Sequence, residues 1–492
     1  IIDGSRTSIK SSLYVKRLWE TQYKKRRKKG KDKMNIFTAL GGGQEVGRSC
    51  YDYGAFLIDA GLKFDEQRGG RIHTPRMPQN EKLFMALTHG HLDHIGFVLN
   101  VAREQPRMRI FATLATKRLV ELQLNDSYRI AAERLARRER SQPLLYTEAE
   151  IEPLLNRIEV VENEGWFEPA LGYKMSFRGA GHIKGAAIIL VATPEDKHII
   201  HACDLSLDDQ AFVRAARVPN DFLNPDLLTI ECMHGALFEP LPDCKQAEQE
   251  IVAIAKRVWE RNGKLLIPQF GISGSQIVDP LVKAGLPVAL DGAMRDCMWI
   301  FETTPQWCEN DIQIKAPLPI YLGRNESEEG FQRSDNDFRL ALARWPGAGI
   351  VACTQGMMEL GLSVMYAEEW LNDQNNAVLF TGYLADGTAG RKISQIQKGE
   401  PVSFHHERVS RNGKLDVWDV DCAVNCEVYT VRRSGHSDPW KTTRDFIVPL
   451  NPKKVATVHG SPDAHIGMKQ HINKALPGIE VVGAINNEPI SF

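Results

Sequence analysis

The sequence predicts an α/β protein in which one domain interrupts another. Three observations carry that expectation. From Asn35 onward, short apolar runs alternate with glycine turns and helical segments. A dense group of potential metal ligands, His89-x-His91-x-Asp93-His94, follows the apolar run 83–87. Two further histidines in glycine-flanked motifs, His436 and His459, return only after a long span that has strands and helices of its own. Ligands that straddle such a span imply an insertion that caps the site and leaves a cleft at the domain boundary.

The composition sets outer bounds. A chain of 492 residues exceeds one ordinary core and suggests two or three domains. With 43% apolar and 25% charged residues it reads as a soluble globular protein. The net charge of −1 means that any contact with nucleic acid must use local patches and not a global field. Nine scattered cysteines without a Cys-x-x-Cys pair argue for a reducing cytosol and against a disulfide framework. No apolar run is long enough to cross a bilayer, so a cytoplasmic location without membrane contact is expected.

Taken in order, residues 1–34 differ from the rest. They carry the basic run 24–29 ahead of Met34 and are expected to form a disordered basic extension. The glycine-rich turn 41–47 is not followed by a Lys-Ser/Thr pair, so it reads as a strand connection and not a phosphate loop. Residues 56–61 read as a buried strand ending in an acid, Asp59, which by itself could be a plain turn residue.

In the ligand group itself, imidazole nitrogen and carboxylate oxygen suit zinc and similar divalent ions. A strand followed by a tight turn can aim His89 and His91 at one ion while Asp93 and His94 reach a second. A solvated helix with a basic end is expected over residues 116–140. A glycine-rich turn then holds His182 ahead of a strand at 187–192, another strand delivers Asp204 into a turn, and the apolar strand 227–232 carries Glu231 near its end. Strands at 264–268, 287–291, 349–353 and 377–380 alternate with helices, the texture of an α/β domain with a largely parallel sheet.

These motifs together resemble the β-CASP group of metallo-β-lactamase nucleases, in particular the bacterial and archaeal relatives of the cleavage and polyadenylation endonuclease and of ribonuclease J. The resemblance runs from about Asn35 to the C-terminus. It implies an αββα four-layer metallo-β-lactamase sandwich with an inserted α/β β-CASP domain. The expected parts are residues 35–232 and 396–492 for the sandwich and 233–395 for the cap. The resemblance also assigns roles. One zinc ion would be held by His89, His91 and His182, the other by Asp93, His94 and His459, with Asp204 bridging. Asp59 would support the ligand group from behind. The catalytic set would be His436, Glu231 and Asp93: His436 in Ser434-Gly435-His436-Ser437-Asp438 beside the scissile phosphate, and Glu231 orienting it.

What the resemblance implies chemically is a zinc-dependent ribonuclease acting on single-stranded RNA. Two zinc ions would hold a hydroxide as nucleophile, and His436 would protonate the leaving oxygen. A His at position 459 is typical of members that act on RNA, which disfavours a DNA nuclease of the same fold. A small-molecule hydrolase would lack the insertion, and an inactive RNA-binding scaffold would have lost ligands. The pattern departs from the group at two places: no Arg stands in 270–276, and Ser461 replaces the usual Glu after Val458-His459-Gly460. Whether the chain pairs as a homodimer, and whether it cuts internally or from the 5′ end, stay open at this level.

Overall fold

In the computed structural model, residues 35–65, 71–136, 144–314, 319–322, 336–359, 361–409 and 415–492 are described. The basic extension expected at 1–34 and most of the basic helix end at 134–140 lie outside them. Three large sheets organise the described chain.

The first sheet has seven strands in the order Pro489–Ser491, Ile36–Gly41, Cys50–Asp52, Phe56–Ile58, Phe84–Ala86, Arg109–Ala112 and Ile158–Val160. The second has six, in the order Glu480–Gly483, Lys454–Val458, Leu227–Glu231, His198–Ala202, Ala187–Ala192 and Lys174–Gly179. The two-residue period of a strand explains how they stack. Phe56 and Ile58 point inward, where they pack with Phe84, Phe177, Ile189 and Val458 between the sheets. Leu57, one residue out of phase, points the other way and packs against the helices Val98–Glu104 and Leu114–Ala136. The second sheet repeats the device: Ile188 and Leu190 face away from the first sheet and share a core with Phe446, Met468 and Ile472. Helix, sheet, sheet and helix therefore form four layers. Each wholly buried Leu, Ile or Phe in them contributes about 1.5–3 kcal/mol, and Phe56 stacks on Phe84 with ring centroids 4.9 Å apart.

The third sheet is entirely parallel, in the order Ile320–Tyr321, Val288–Asp291, Gly349–Cys353, Lys264–Pro268, Ala377–Phe380 and Glu427–Thr430. Its last strand, Glu427–Thr430, follows residue 396 in the chain and pairs with Ala377–Phe380, extending this sheet. The antiparallel hairpin of Pro401–Val409 and Leu415–Ala423 also packs on that sheet, through Val402 and Phe404. The chain rejoins the sandwich sheets only at Lys454–Val458, which pairs with Leu227–Glu231 from the far side of the insertion. The apolar texture of 401–409 does not reveal which sheet it serves, because any half-buried strand alternates in the same way.

One close approach positions the ligand group. A Cβ on Gly61 would lie 1.7 Å from the backbone oxygen of Asp93 and 2.6 Å from the nitrogen of His94. That contact exists because Ser49 N–H donates to the Asp93 carbonyl and Gly61 N–H donates to the Ser49 carbonyl, both at 2.8 Å. Gly61→Ala is expected to destabilise the protein by about 1–3 kcal/mol or more and to lower whatever metal the ligand group holds, read by urea titration and metal analysis. Wild-type stability and metal content in this variant would contradict the packing described.

Candidate metal centre

The fold gathers the sequence motifs at one edge. Asp59, His89, Asp204 and His459 each lie just past the carboxyl end of a strand, Glu231 ends one, and His182 sits in the turn between Lys174–Gly179 and Ala187–Ala192. Ligand sites at the carboxyl ends of parallel strands are the rule in open α/β sheets. Three of the turns are strained: Asp59, Asp204 and His459 have φ of 60°, 50° and 52°, in the left-handed region. Such conformations persist only where surrounding contacts hold them. For His459 the hold comes from the glycine-rich turn, since its N–H donates to the Gly42 carbonyl at 2.8 Å. The Gly41–Gly47 region thus serves as a strap for the returning strand.

Each imidazole is tied on its outer nitrogen, which decides where its lone pair points. Thr88 spends its hydroxyl proton on Asp59 Oδ2 (2.7 Å), so its oxygen accepts from His89 Nδ1–H at 3.0 Å. His94 Nδ1–H donates to Asp59 Oδ2 (2.7 Å), and His182 Nδ1–H donates to the Gly435 carbonyl (2.8 Å). His459 Nδ1 lies 3.1 Å from Ser49 Oγ, and His91 Nε2 lies 3.1 Å from Ser273 Oγ. The inward nitrogens are therefore Nε2 of His89, His94, His182 and His459, and Nδ1 of His91. Outer partners of this kind fix tautomer and ring orientation in metal sites.

The inward atoms form two groups that meet on one carboxylate. Around Asp204 Oδ2 stand His89 Nε2 at 3.2 Å and His182 Nε2 at 3.6 Å. His91 Nδ1 is 2.9 Å from His89 Nε2 and 3.2 Å from His182 Nε2. Around Asp204 Oδ1 stand His94 Nε2 at 3.4 Å and His459 Nε2 at 3.7 Å. Asp93 Oδ2 is 3.7 Å from each of those two nitrogens. Zinc with ligands at 2.0–2.1 Å in a tetrahedron needs donor atoms about 3.3 Å apart, and both groups fit that spacing. The buried Nε2 of His459 also has no hydrogen-bond partner among the described residues. Neutral imidazole lone pairs aimed at one another call for a cation between them.

The electrostatics agree with a site that exchanges protons for metal. Burial, with neighbouring imidazoles adding to it, holds His91 and His182 far below the ordinary histidine range. Burial brings His459 down to about 4 despite the nearby Asp204. Burial would raise Asp204, but the imidazoles of His94, His459 and His89 hold it well below the usual carboxylate range. Deprotonated nitrogens and an ionised carboxylate are the forms that ligate. His94 differs: burial would lower it, but Asp204 and Asp93 outweigh burial and hold it well above the ordinary histidine range, so a metal bound there displaces its proton.

Next to this centre, His436 Nδ1 lies 2.9 Å from both carboxylate oxygens of Glu231, and its ring centroid is 4.5 Å from that of His182. Burial would lower its pKa, but the charge and hydrogen bond of Glu231 outweigh it and push the imidazole up to about 9. Glu231 is itself fixed by the Leu205 N–H at 2.5 Å.

The structure thus brings together every sequence-predicted residue: His89, His91, Asp93, His94, His182, Asp204, His459, His436 and Glu231. Several neighbours had no sequence signal. Ser49, Ser273 and the Gly435 carbonyl are ordinary residues whose role arises from distant chain segments meeting. Cys203 also lies among the second group. Burial first, then the charges of Asp204 and Glu231, keep its thiol protonated, and its S–H donates to Asp204 Oδ1 at 3.3 Å. Asp93 stands beside this group, with its Oδ2 3.7 Å from His94 Nε2 and from His459 Nε2.

Residues 249–393 match the Beta-Casp domain, and residues 421–482 match the Zn-dependent metallo-hydrolase RNA specificity domain. The chain is 27% identical over 451 residues to transcription termination factor FttA of Methanocaldococcus jannaschii, covering 86% of this chain and 66% of that protein. It is 25% identical over 469 residues to RNase aCSPSF2 of Saccharolobus solfataricus, covering 93% and 86% of the two chains. It is also 25% identical over 440 residues to cleavage and polyadenylation specificity factor 73 of Drosophila melanogaster, covering 86% of this chain but 59% of that one. The chain therefore spans about two thirds of the first of these relatives. A crystal structure of a protein of unknown function from Enterococcus faecalis V583 shares the fold, with a TM-score of 0.54 at 13% identity over 94% of this chain and 100% of that one. With four layers and an inserted parallel sheet, the chain carries a Beta-Casp domain and a Zn-dependent metallo-hydrolase RNA specificity domain and is similar along most of its length to proteins built from them.

Proposed function

We propose that this chain is a zinc-dependent ribonuclease that hydrolyses phosphodiester bonds of single-stranded RNA at a dinuclear centre. The observation that carries the reading is the convergence of five imidazoles on Asp204, with Asp93 3.7 Å from two of them and His436 beside the group. One ion would be held by His89, His91 and His182, the other by Asp93, His94 and His459, and Asp204 would bridge. Bound zinc supplies a nucleophile at neutral pH and offsets the charge of the phosphate oxygens.

The remaining steps belong to the chain. Five neutral imidazoles and two carboxylates leave the dinuclear site net positive, which favours an anionic diester. Glu231 accepts from His436 Nδ1, so the second proton of the imidazolium sits on Nε2. That proton is available to the oxygen that leaves. The RNA specificity domain match and the relatives named for RNA work support RNA as the substrate. No described helix is long and apolar enough to cross a membrane.

Asp93→Ala tests the reading. It is expected to abolish cleavage of a single-stranded RNA while circular dichroism and thermal unfolding stay near wild type, because the Asp93 side chain is 31% exposed. Undiminished cleavage would refute the ligand assignment. The wild-type protein is expected to carry about two zinc ions per chain and to cut RNA in preference to a DNA strand of matched sequence. RNA labelled at a 5′ monophosphate or triphosphate separates internal cutting, read as a ladder, from mononucleotide release.

A further inference from the structure

The helix that follows strand Lys264–Pro268 of the inserted sheet touches the metal centre, through Ser273 on His91 and Gln276 on the His182 carbonyl. The sheet's central strands Gly349–Cys353, Lys264–Pro268 and Ala377–Phe380 are neighbours and run parallel. The order reverses there: after Lys264–Pro268 the chain builds toward one edge, and Ala377–Phe380 then adds on the other side. Crevices at the carboxyl ends of strands at such a reversal are where open α/β sheets bind ligands. Three loops stand at these strand ends, beginning at Gln269, Thr354 and Thr381. The Gln269 side-chain amide donates to Thr381 Oγ1 at 2.6 Å and holds two of them side by side. The first loop leads to Ser273, whose Oγ is 3.1 Å from His91 Nε2. These strand ends and the metal centre are therefore neighbours.

Phe270 stands three residues from Ser273 and is 42% exposed. Glycines flank its ring: a Cβ on Gly356 would lie 3.4 Å from one ring carbon, and a Cβ on Gly382 would lie 3.6 Å from that same carbon. Neither position carries a side chain that would cover the ring. Tyr383, the next residue along, is 64% exposed. An exposed aromatic ring kept uncovered on a route to a phosphodiester site is the arrangement that receives a nucleobase, because every base offers a flat face.

We infer that the Phe270 ring is the stacking platform for one base of the RNA strand next to the bond that is cut, with Tyr383 at its margin. The inference rests on the ribonuclease reading for the identity of its ligand. The residues involved are all outside the ligand and proton-transfer set.

The test walks a single abasic ribose along a fluorescent RNA decamer and compares zinc-loaded wild type with Phe270→Ala. Wild type is expected to lose about 5- to 100-fold in kcat/KM at one abasic position. Phe270→Ala should be equally slow on intact RNA and indifferent to the abasic site there. Phe270→Trp should restore the discrimination, and Gly382→Val, which shades the ring, should weaken it. Equilibrium binding of the same strands is measured in the Asp93→Ala background, where no cleavage is expected. If wild type cuts no RNA but binding still follows this pattern, the ribonuclease reading fails and the stacking platform stands. If Phe270→Ala discriminates as wild type does, or wild type is indifferent at every position, the platform is overturned.

Discussion

Asp204→Asn is expected to reduce RNA hydrolysis to about a thousandth of wild type or less, and to bring zinc from about two ions per chain to about one. The reason lies in the donor geometry. Asp204 Oδ2 faces His89 and His182 while Oδ1 faces His94 and His459. An asparagine keeps the shape but offers one oxygen and one NH2 group, and the NH2 cannot ligate. One of the two groups then loses its acceptor. Losing the charge of one ion removes several kcal/mol of transition-state stabilisation, and each ~1.4 kcal/mol is tenfold in rate, so the loss is roughly a thousandfold. Metal analysis and single-turnover RNA digestion read both effects. Two tightly held ions in the variant would mean that Asp204 does not bridge.

His436→Ala is expected to keep both zinc ions and lose about 10²- to 10⁴-fold in kcat. Its Nδ1 is committed to Glu231, and none of the close contacts around Asp204 described above runs through its ring. A readout specific to proton donation is the leaving group. With a p-nitrophenyl phosphodiester, whose leaving phenolate needs no proton, the variant should recover most of wild-type activity. An equal loss on both substrates would place His436 in a role other than acid, and loss of zinc would make it a ligand. Glu231→Gln should fall between wild type and His436→Ala, since it removes the charge that holds the imidazole protonated against burial.

The separate behaviour of these variants follows from two environments built side by side. His91, His182 and His459 are buried without enough negative charge to keep a proton, and they stand ready to ligate. His436 is buried against Glu231 and keeps one. The carboxylates around each ring decide which imidazoles keep a proton: burial would lower His94 too, but Asp204, Asp93 and Asp59 raise it well above the ordinary range, so a metal there has to displace a proton.

Much of this was legible in the chain itself. Strands that end in Asp59, His89, Asp204, Glu231 and His459 can be found from apolar runs that stop at a polar residue, because period-two burial and a turn leave that pattern. The ligand types and their grouping at 89–94 announce a metal, and the late return of His436 and His459 announces an insertion. Only the tertiary structure decided which outer atom ties each imidazole. Ser49, Ser273 and the Gly435 carbonyl act through segments far apart in sequence, where no local pattern exists. The same holds for the strand Glu427–Thr430, whose membership of the inserted sheet is set by its partner Ala377–Phe380. Local sequence encodes what a residue can donate or bury, whereas its partner is chosen by packing of the whole chain.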